Sequence, residues 1–325
     1  MQKYPFYIST KVLNLVGEIS ELVGRISITS RLSQSPQLRR NNRIRTIHSS
    51  LAIEQNSLTL DQVTAVIAGK RVLAPQREIA EVKNAFEIYE QIESLNPYSL
   101  DDLLMAHGKM MKGWREDAGE FRSRPVGVVD TEGRVLHVGT LPAYVPQLVA
   151  ELLEWVELDE TNYLIKSCVF HYEFELIHPF SDGNGRIGRL WHTLLLSKWN
   201  PMFAWLPVES IIHDRQDSYY QAINKSNIEV DSTPFIEYML SAIKSALIEV
   251  NNENPPITST KAEQVKKREH AILDYLISNG EVTNSDVREM LSVSSATANR
   301  VLNSMLNKNM IIKYRKGKSW AYKKL

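Results

Sequence analysis

The chain has 325 residues, with 38 Lys+Arg against 38 Asp+Glu and no formal net charge. That length suggests two or three domains of roughly 100–200 residues each, and 43% hydrophobic with 23% charged residues excludes wholesale disorder. A single cysteine, Cys168, excludes an intramolecular disulfide framework, and with no apolar leader in MQKYPFYIST and no apolar run of about 18 residues the reading is a cytoplasmic protein with no membrane partner.

The balanced charge hides a split. Residues 265–325 carry 12 Lys+Arg and 5 Asp+Glu, a net +7, leaving 26 and 33, a net −7, for the other 264. Just ahead of the basic part, NNENPPITST (251–260) combines two prolines with small polar residues, the composition of a linker. The expected organisation is an N-terminal helical region over 1–95, a core over 96–250, a linker over 251–264 and a small domain over 265–325.

Helical periodicity dominates the acidic part. Val12, Val16, Ile19, Val23 and Ile26 follow amphipathic spacing, and similar stripes recur over Leu60–Ala68, Ile79–Ile92, Leu103–Met111, Val145–Val156 and Phe235–Ile248. RPVGVVDTEGRVLHVG (124–139) breaks the pattern: β-branched residues flank Thr-Glu-Gly, which predicts a β-hairpin. From Tyr163 to Ile177 apolar residues lie all round, as in a helix at the centre of a domain.

That buried helix runs directly into HPFSDGNGRIGRL (178–190), where Pro179 stops it and a new helix is expected near Gly185. Gly183 and Gly185 permit backbone torsions that turn successive N–H groups toward one point, at a helix N-terminus that already favours an anion. Arg186 and Arg189, three apart, project from the same side of the first turn. The pattern predicts a polyphosphate cradle, with Asp182 placed to hold a divalent cation and His178 at its edge as a general base. A transition-metal reading of His171, His178 and Asp182 is the alternative to a structural His171.

The segment resembles the signature of the Fic (filamentation induced by cAMP) family, H-x-F-x-[D/E]-G-N-G-R-x-x-R. All fixed positions are present: His178, Phe180, Asp182, Gly183, Asn184, Gly185, Arg186 and Arg189. The similarity extends over roughly Leu38–Leu240. It implies a mainly α fold, a Fic-type helical catalytic core with a β-hairpin flap. It also implies transfer of AMP from ATP to a Ser, Thr or Tyr hydroxyl of a target protein. His178 would take the hydroxyl proton and Asp182 would bind Mg²⁺. Gly183, Asn184 and Gly185 would hold phosphate oxygens, Arg186 the β-phosphate and Arg189 the γ-phosphate. Phe180 would anchor the loop.

Three more segments fit the same resemblance. The hairpin at Val126–Val138 matches the flap on which a target segment docks as an added strand. In DSYYQAINKSNIEVDSTPFIEYML (217–240), Tyr220 and Asn227 occupy the positions that hold adenine by ring and amide. RTIHSSLAIEQNSLTL (45–60) looks like the inhibitory segment [S/T]-x-x-x-E-[G/N], with Ser50 and Glu54 at the fixed positions. The resemblance implies that Glu54 pairs with Arg189, and the spacing of four lets the Ser50 hydroxyl fix the glutamate's rotamer. Gln55 departs from the Gly or Asn that suits a left-handed helix end, a task Asn56 would take one residue later.

The basic C-terminal part reads as three helices and a hairpin. Helices are expected over Val265–Ser278, from an N-cap at Thr283 to Leu291, and after a turn at Ser292–Ser294 with Ala298, Val301, Leu302, Met305 and Leu306 inward. A hairpin over 310–325 turns at Lys316-Gly317-Lys318. This resembles a winged helix-turn-helix domain, which implies DNA as a partner through 265–325. Asn299, Arg300 and Asn303 would face a groove, and Arg315, Lys316 and Lys318 would lie near phosphates.

The expected function is thus a protein adenylyltransferase using ATP and Mg²⁺, autoinhibited by Glu54 on Arg189. A homodimer is the other assembly considered. Two alternatives stand beside it: Glu54-dependent removal of AMP at the same site, and a nucleotide-sensing DNA-binding regulator with little turnover.

Overall fold

The stripes found in the sequence become helices packed on a shared core. In the computed structural model, which describes residues 3–29, 35–129, 135–253, 261–291, 293, 295–308, 310–316 and 319–324, the first compact unit is Met1–Asn254. It runs α1 (Thr10–Thr29), α2 (Pro36–Ile53), α3 (Leu60–Ile67), α4 (Gln76–Glu90), α5 (Leu100–Met110), β1 (Gly127–Val129), β2 (Val135–Val138), α6 (Val145–Leu158), α7 (Tyr163–Ile177), α8 (Asn184–Trp199), α9 (Val208–Asp214), α10 (Gln216–Glu229) and α11 (Thr233–Glu253).

The all-round apolar segment is the central helix α7, packed on α8, α6 and α11. Its Leu164, Cys168, Val169, Phe170 and Phe174 are fully buried, and Ile177 is its last helical residue. Lys166 is buried too, because its ammonium donates to the carbonyls of Val156 and Asp159 at the end of α6, where a cation suits the helix dipole. α2 buries a short apolar stripe, Ile44, Ile47 and Leu51, beside polar side chains. Its buried face includes Asn42, Arg43, Thr46, Ser49 and Ser50, which find partners across the fold: Asn42 bonds the Trp205 carbonyl, and Arg43 stacks 4.2 Å from the Trp205 ring.

β1 and β2 pair antiparallel, Gly127 opposite Val138 and Val128 opposite His137, with a register shift between Val128 and Val129. The Thr-Glu-Gly turn expected between them lies outside the described residues.

The second unit is Pro255–Leu325. α12 (Lys261–Asn279) begins ahead of the expected Val265, in keeping with the strong helix formers at its start. β3 (Val282–Thr283), α13 (Asn284–Leu291), α14 (Ser295–Asn307), β4 (Ile311–Lys316) and β5 (Ser319–Lys324) follow, in a sheet ordered β3-β5-β4. Thr283 caps α13 reciprocally: its hydroxyl accepts from the Asp286 N–H at 3.3 Å, and its own N–H donates to the Asp286 carboxylate at 2.8 Å. Ala298, Val301, Leu302 and Met305 are buried on Ile272, Leu276, Val287 and Ile311, and Leu306 is partly buried beside them. Ser292, Ser294, Gly317 and Lys318, parts of the two expected turns, lie outside the described residues.

Candidate active site

α7 ends at His178, which takes a left-handed conformation (φ 52°) and turns the chain into Pro179. Phe180 is buried and stacked on His107 of α5, with ring centroids 3.6 Å apart. Asn184 clamps the loop from within: Oδ1 accepts from the Phe180 N–H at 2.9 Å, and Nδ2 donates to the Phe180 carbonyl at 2.8 Å. Its amide was expected on phosphate oxygens. Oδ1 and one Nδ2 hydrogen are engaged within the loop, and the second Nδ2 hydrogen and the backbone at the helix start are what remain for an anion.

The two loop glycines have different tasks. Gly183 has φ +84° and precedes α8, which starts at Asn184 rather than Gly185. Gly185 is an ordinary helical residue. A Cβ there would lie 2.4 Å from Glu54 Oε1 and 2.9 Å from Arg189 Nη1, so its lack of a side chain makes room for the glutamate rather than for a torsion.

Both arginines are buried. Arg186 Nη2 donates to Asp182 Oδ1 at 3.0 Å, and Nη1 lies 3.6 Å from Glu81 Oε1 of α4. Arg189, 2% exposed, donates from Nη2 to Glu54 Oε1 at 2.8 Å and to the Ser50 carbonyl at 2.9 Å, and from Nε to the Ser50 hydroxyl at 3.1 Å. Burial by itself would lower the Arg189 pKa; Glu54, by charge and hydrogen bond, together with Tyr219 and Glu175 outweighs this and raises it. Ser50 therefore holds the arginine, whereas the spacing had suggested that it holds the glutamate. Gln55 itself adopts the left-handed helix end (φ 67°). Asn56 is tied to α4 instead, its amide on Glu81 Oε2 at 2.9 Å.

Asp182 Oδ1 also accepts from the Gly183 N–H at 2.6 Å, while Oδ2 has Arg77 at 3.9 Å. Among the described residues no group of three His, Cys, Asp or Glu converges to hold a metal. A magnesium ion is commonly bound through one or two carboxylates plus substrate phosphates, so the half-exposed Asp182 fits a cation that arrives with a nucleotide. His171 is a core histidine, buried and 3.1 Å from the Tyr219 hydroxyl.

The adenine pair divides. Tyr220 is 40% exposed and close enough to Glu54 that, after burial, the glutamate is the main influence raising its pKa. Asn227, two turns further along α10, accepts the Tyr172 hydroxyl at 2.8 Å on its Oδ1. Its carbonyl is thus occupied within the fold, which the expected role on the base edge did not anticipate.

Two residues essential to this geometry have no sequence motif. His107 accepts the Gly119 N–H on Nδ1 at 2.9 Å, which leaves Nε2 to donate to the Asp182 carbonyl at 3.0 Å. Burial lowers its pKa to about 4, so the ring is neutral. Arg122, also buried, donates to the carbonyls of His178 at 2.6 Å, Arg124 at 2.9 Å and Ile177 at 3.3 Å, and to that of Thr140, tying the base of the hairpin to the loop. The only hints were a histidine inside an apolar helical stripe and an arginine just before the hairpin.

On the second unit, Asn299, Arg300 and Asn303 are exposed along α14, as is Arg315 on β4. Asn299 Oδ1 accepts from Asn284 Nδ2 of α13 at 2.7 Å. Trp320 on β5 is half exposed with Lys313 Nζ 4.3 Å from its ring. Among the described residues no helix is long and apolar enough to cross a membrane.

Residues 97–196 match the Fic/DOC family model, and residues 266–312 match a winged helix-turn-helix DNA-binding model. Protein adenylyltransferase fic-1 of Caenorhabditis briggsae is 27% identical over 248 residues, covering 69% of this chain and 46% of its own length. A probable protein adenylyltransferase of Aquifex aeolicus is 29% identical over 147 residues, 43% of each chain. The chain thus spans less than half the length of these curated relatives. A crystal structure of a Fic family protein from Desulfovibrio desulfuricans superposes with a TM-score of 0.76 at 42% identity, covering 99% of this chain and 98% of the other. Likeness of that degree over nearly the whole of both chains, with the loop between α7 and α8 at its centre, means that this chain belongs to the Fic family and carries a winged-helix domain.

Proposed function

We propose that the chain is a protein adenylyltransferase that moves AMP from ATP to a hydroxyl of a target protein and is held back by Glu54. The observation that carries this reading is the convergence of His178, Asp182, the N-terminus of α8, Arg186 and Arg189 on one short loop. Attack at a phosphate needs little covalent help, so positioning and charge neutralisation carry most of the catalysis. His178 Nδ1 lies 3.3 Å from the Glu175 carbonyl, which can only accept; Nδ1 therefore holds a proton and Nε2 is the basic nitrogen. Nε2 takes the proton of the target hydroxyl while the backbone at the start of α8 and the two arginines hold phosphate oxygens. When bound beside Asp182, Mg²⁺ supplies charge neutralisation on those oxygens. The target segment adds to the β1–β2 flap as a strand, through backbone pairing that reads little side-chain sequence.

The Glu54–Arg189 pair at 2.8 Å supports the inhibitory part of this reading, in which the glutamate takes the place of a γ-phosphate and has to leave before ATP seats productively. A second reading, AMP removal, is favoured by Glu54 Oε2: it has no hydrogen bond among the described residues on a side chain 31% exposed, and it is available to orient a water. The winged-helix domain binds DNA through Asn299, Arg300 and Asn303 of α14 in this reading. ATP labelled at the α- or γ-phosphate, incubated with Mg²⁺ and the wild-type, Glu54→Gly and His178→Ala proteins, tests the main proposal. Protein label from α alone, lost in His178→Ala, is expected; label from γ, or none from either, overturns it.

A further inference from the structure

We propose that Glu175 is a positioning residue for His178, holding the imidazole from its Nδ1 side and balancing the charge the ring gains as Nε2 takes a proton. Glu175 lies three residues before His178 in the last turn of α7, which brings its carboxylate back toward the ring. Oε2 is 3.9 Å from His178 Nδ1, the nitrogen that also faces the carbonyl of Glu175 at 3.3 Å. Oε1 is shut off from solvent with no hydrogen bond among the described residues, 3.8 Å from a His171 nitrogen already engaged by Tyr219. Opposite it stands Gly188 of α8, where a Cβ would come within 3.2 Å of Oε1 and 3.0 Å of the His171 ring. Glycine at that position is what lets α8 close over the carboxylate.

Burying a carboxylate with one oxygen unsatisfied costs stability that an apolar side chain would not, and packing of α7 gives no reason for it. The chemistry of the neighbouring histidine does. The groups facing Glu175 are His171 and His178 on its own helix, Arg189 from α8, Glu54 from the end of α2, and Tyr219 and Tyr220 from α10. As the target oxygen bonds to the α-phosphorus and pyrophosphate leaves with the electron pair of the broken bond, the hydroxyl proton passes to Nε2. The ring becomes an imidazolium, and the 3.9 Å approach tightens to an N–H···O bond, as contacts of this kind commonly do only with substrate present. Burial raises the Glu175 carboxyl to about 7, against the pull of Arg189, so it exchanges its proton in the range where imidazole does.

This role rests on the adenylyl-transfer reading, and the experiment separates the two. In the full chain with labelled histidine, the His178 resonance, identified by its loss in His178→Ala, is followed by NMR against pH in wild type, Glu175→Gln and Glu175→Asp. The His178 midpoint is expected to fall by about one pH unit in Glu175→Gln and by less in Glu175→Asp, which also carries the test if the Gln variant does not fold. In a Glu54→Gly background, Glu175→Gln should lower kcat roughly 10- to 100-fold, the scale for groups that orient a histidine, with KM for ATP unchanged. An unchanged midpoint overturns the proposal. Absence of transfer in every protein, wild type included, overturns the adenylyl-transfer reading, while the midpoint still decides whether Glu175 governs His178.

Discussion

Replacing Glu54 by glycine removes the one carboxylate that, among the described residues, is hydrogen-bonded to Arg189. The pair is short, 2.8 Å, and asymmetric: the guanidinium is 2% exposed and the carboxylate 31%. A hydrogen bond to a charged group contributes about 1.5–3 kcal/mol, and the partial exposure of Glu54 points to the lower half of that range. In the proposed mechanism a phosphate reaches Arg189 only after that bond breaks. At about 1.4 kcal/mol per factor of ten, the variant should transfer AMP roughly 10 to 40 times faster at limiting ATP. Initial rates with α-labelled ATP measure this directly. The same substitution leaves Arg189 buried with Ser50 as its hydrogen-bond partner among the described residues, so Tm without nucleotide should fall, and added ATP should raise it more than in wild type. Glu54→Gln, which keeps an acceptor oxygen but not the charge, should lie between. Equal rates and equal ATP-induced Tm shifts in wild type and Glu54→Gly would refute the reasoning.

Arg122→Lys tests the tie between hairpin and loop: a single ammonium cannot span the carbonyls of His178, Arg124 and Thr140 that the planar guanidinium holds. Transfer should drop about tenfold or more while ATP affinity, read by calorimetry, stays the same. Glu209, buried with Oε1 3.1 Å from the Thr193 hydroxyl, has its carboxyl raised by burial from 4.5 to about 7. The folded state then binds more protons than the unfolded state between those values, so Glu209 contributes on the order of 3 kcal/mol of stability that is lost as pH rises from about 4.5 to about 7. In Glu209→Gln the fall in Tm over that window should shrink; an identical fall would count against the assignment. For the winged helix, Arg300→Ala should weaken DNA binding and flatten its dependence on salt, and binding unaffected by salt in the wild type would remove DNA as a partner.

The fold class was legible because helical stripes and an all-round apolar segment are local patterns: α1, α7 and α11 lie where their apolar residues predict. α2, α9 and α10 were less legible. The buried side of α2 mixes Ile44, Ile47 and Leu51 with Asn42, Arg43 and Ser50, whose partners Trp205 and Arg189 lie far along the chain. The loop from His178 to Arg189 was legible in its residues but not in their division of labour. Asn184 turns out to clamp the loop through the Phe180 backbone, and Gly185 makes room for Glu54 rather than for a left-handed torsion.

The sequence by itself determined that a histidine, a carboxylate, two glycines and two arginines would crowd into twelve consecutive residues at a helix start, since contiguity guarantees their proximity. Tertiary structure alone decided which partners they meet. Ser50 reaches Arg189 across 139 positions, His107 reaches the Asp182 carbonyl across 75, and Arg122 reaches the His178 carbonyl across 56. Such contacts leave no period in the sequence, because each depends on how separate helices pack and on which buried polar groups remain to be satisfied.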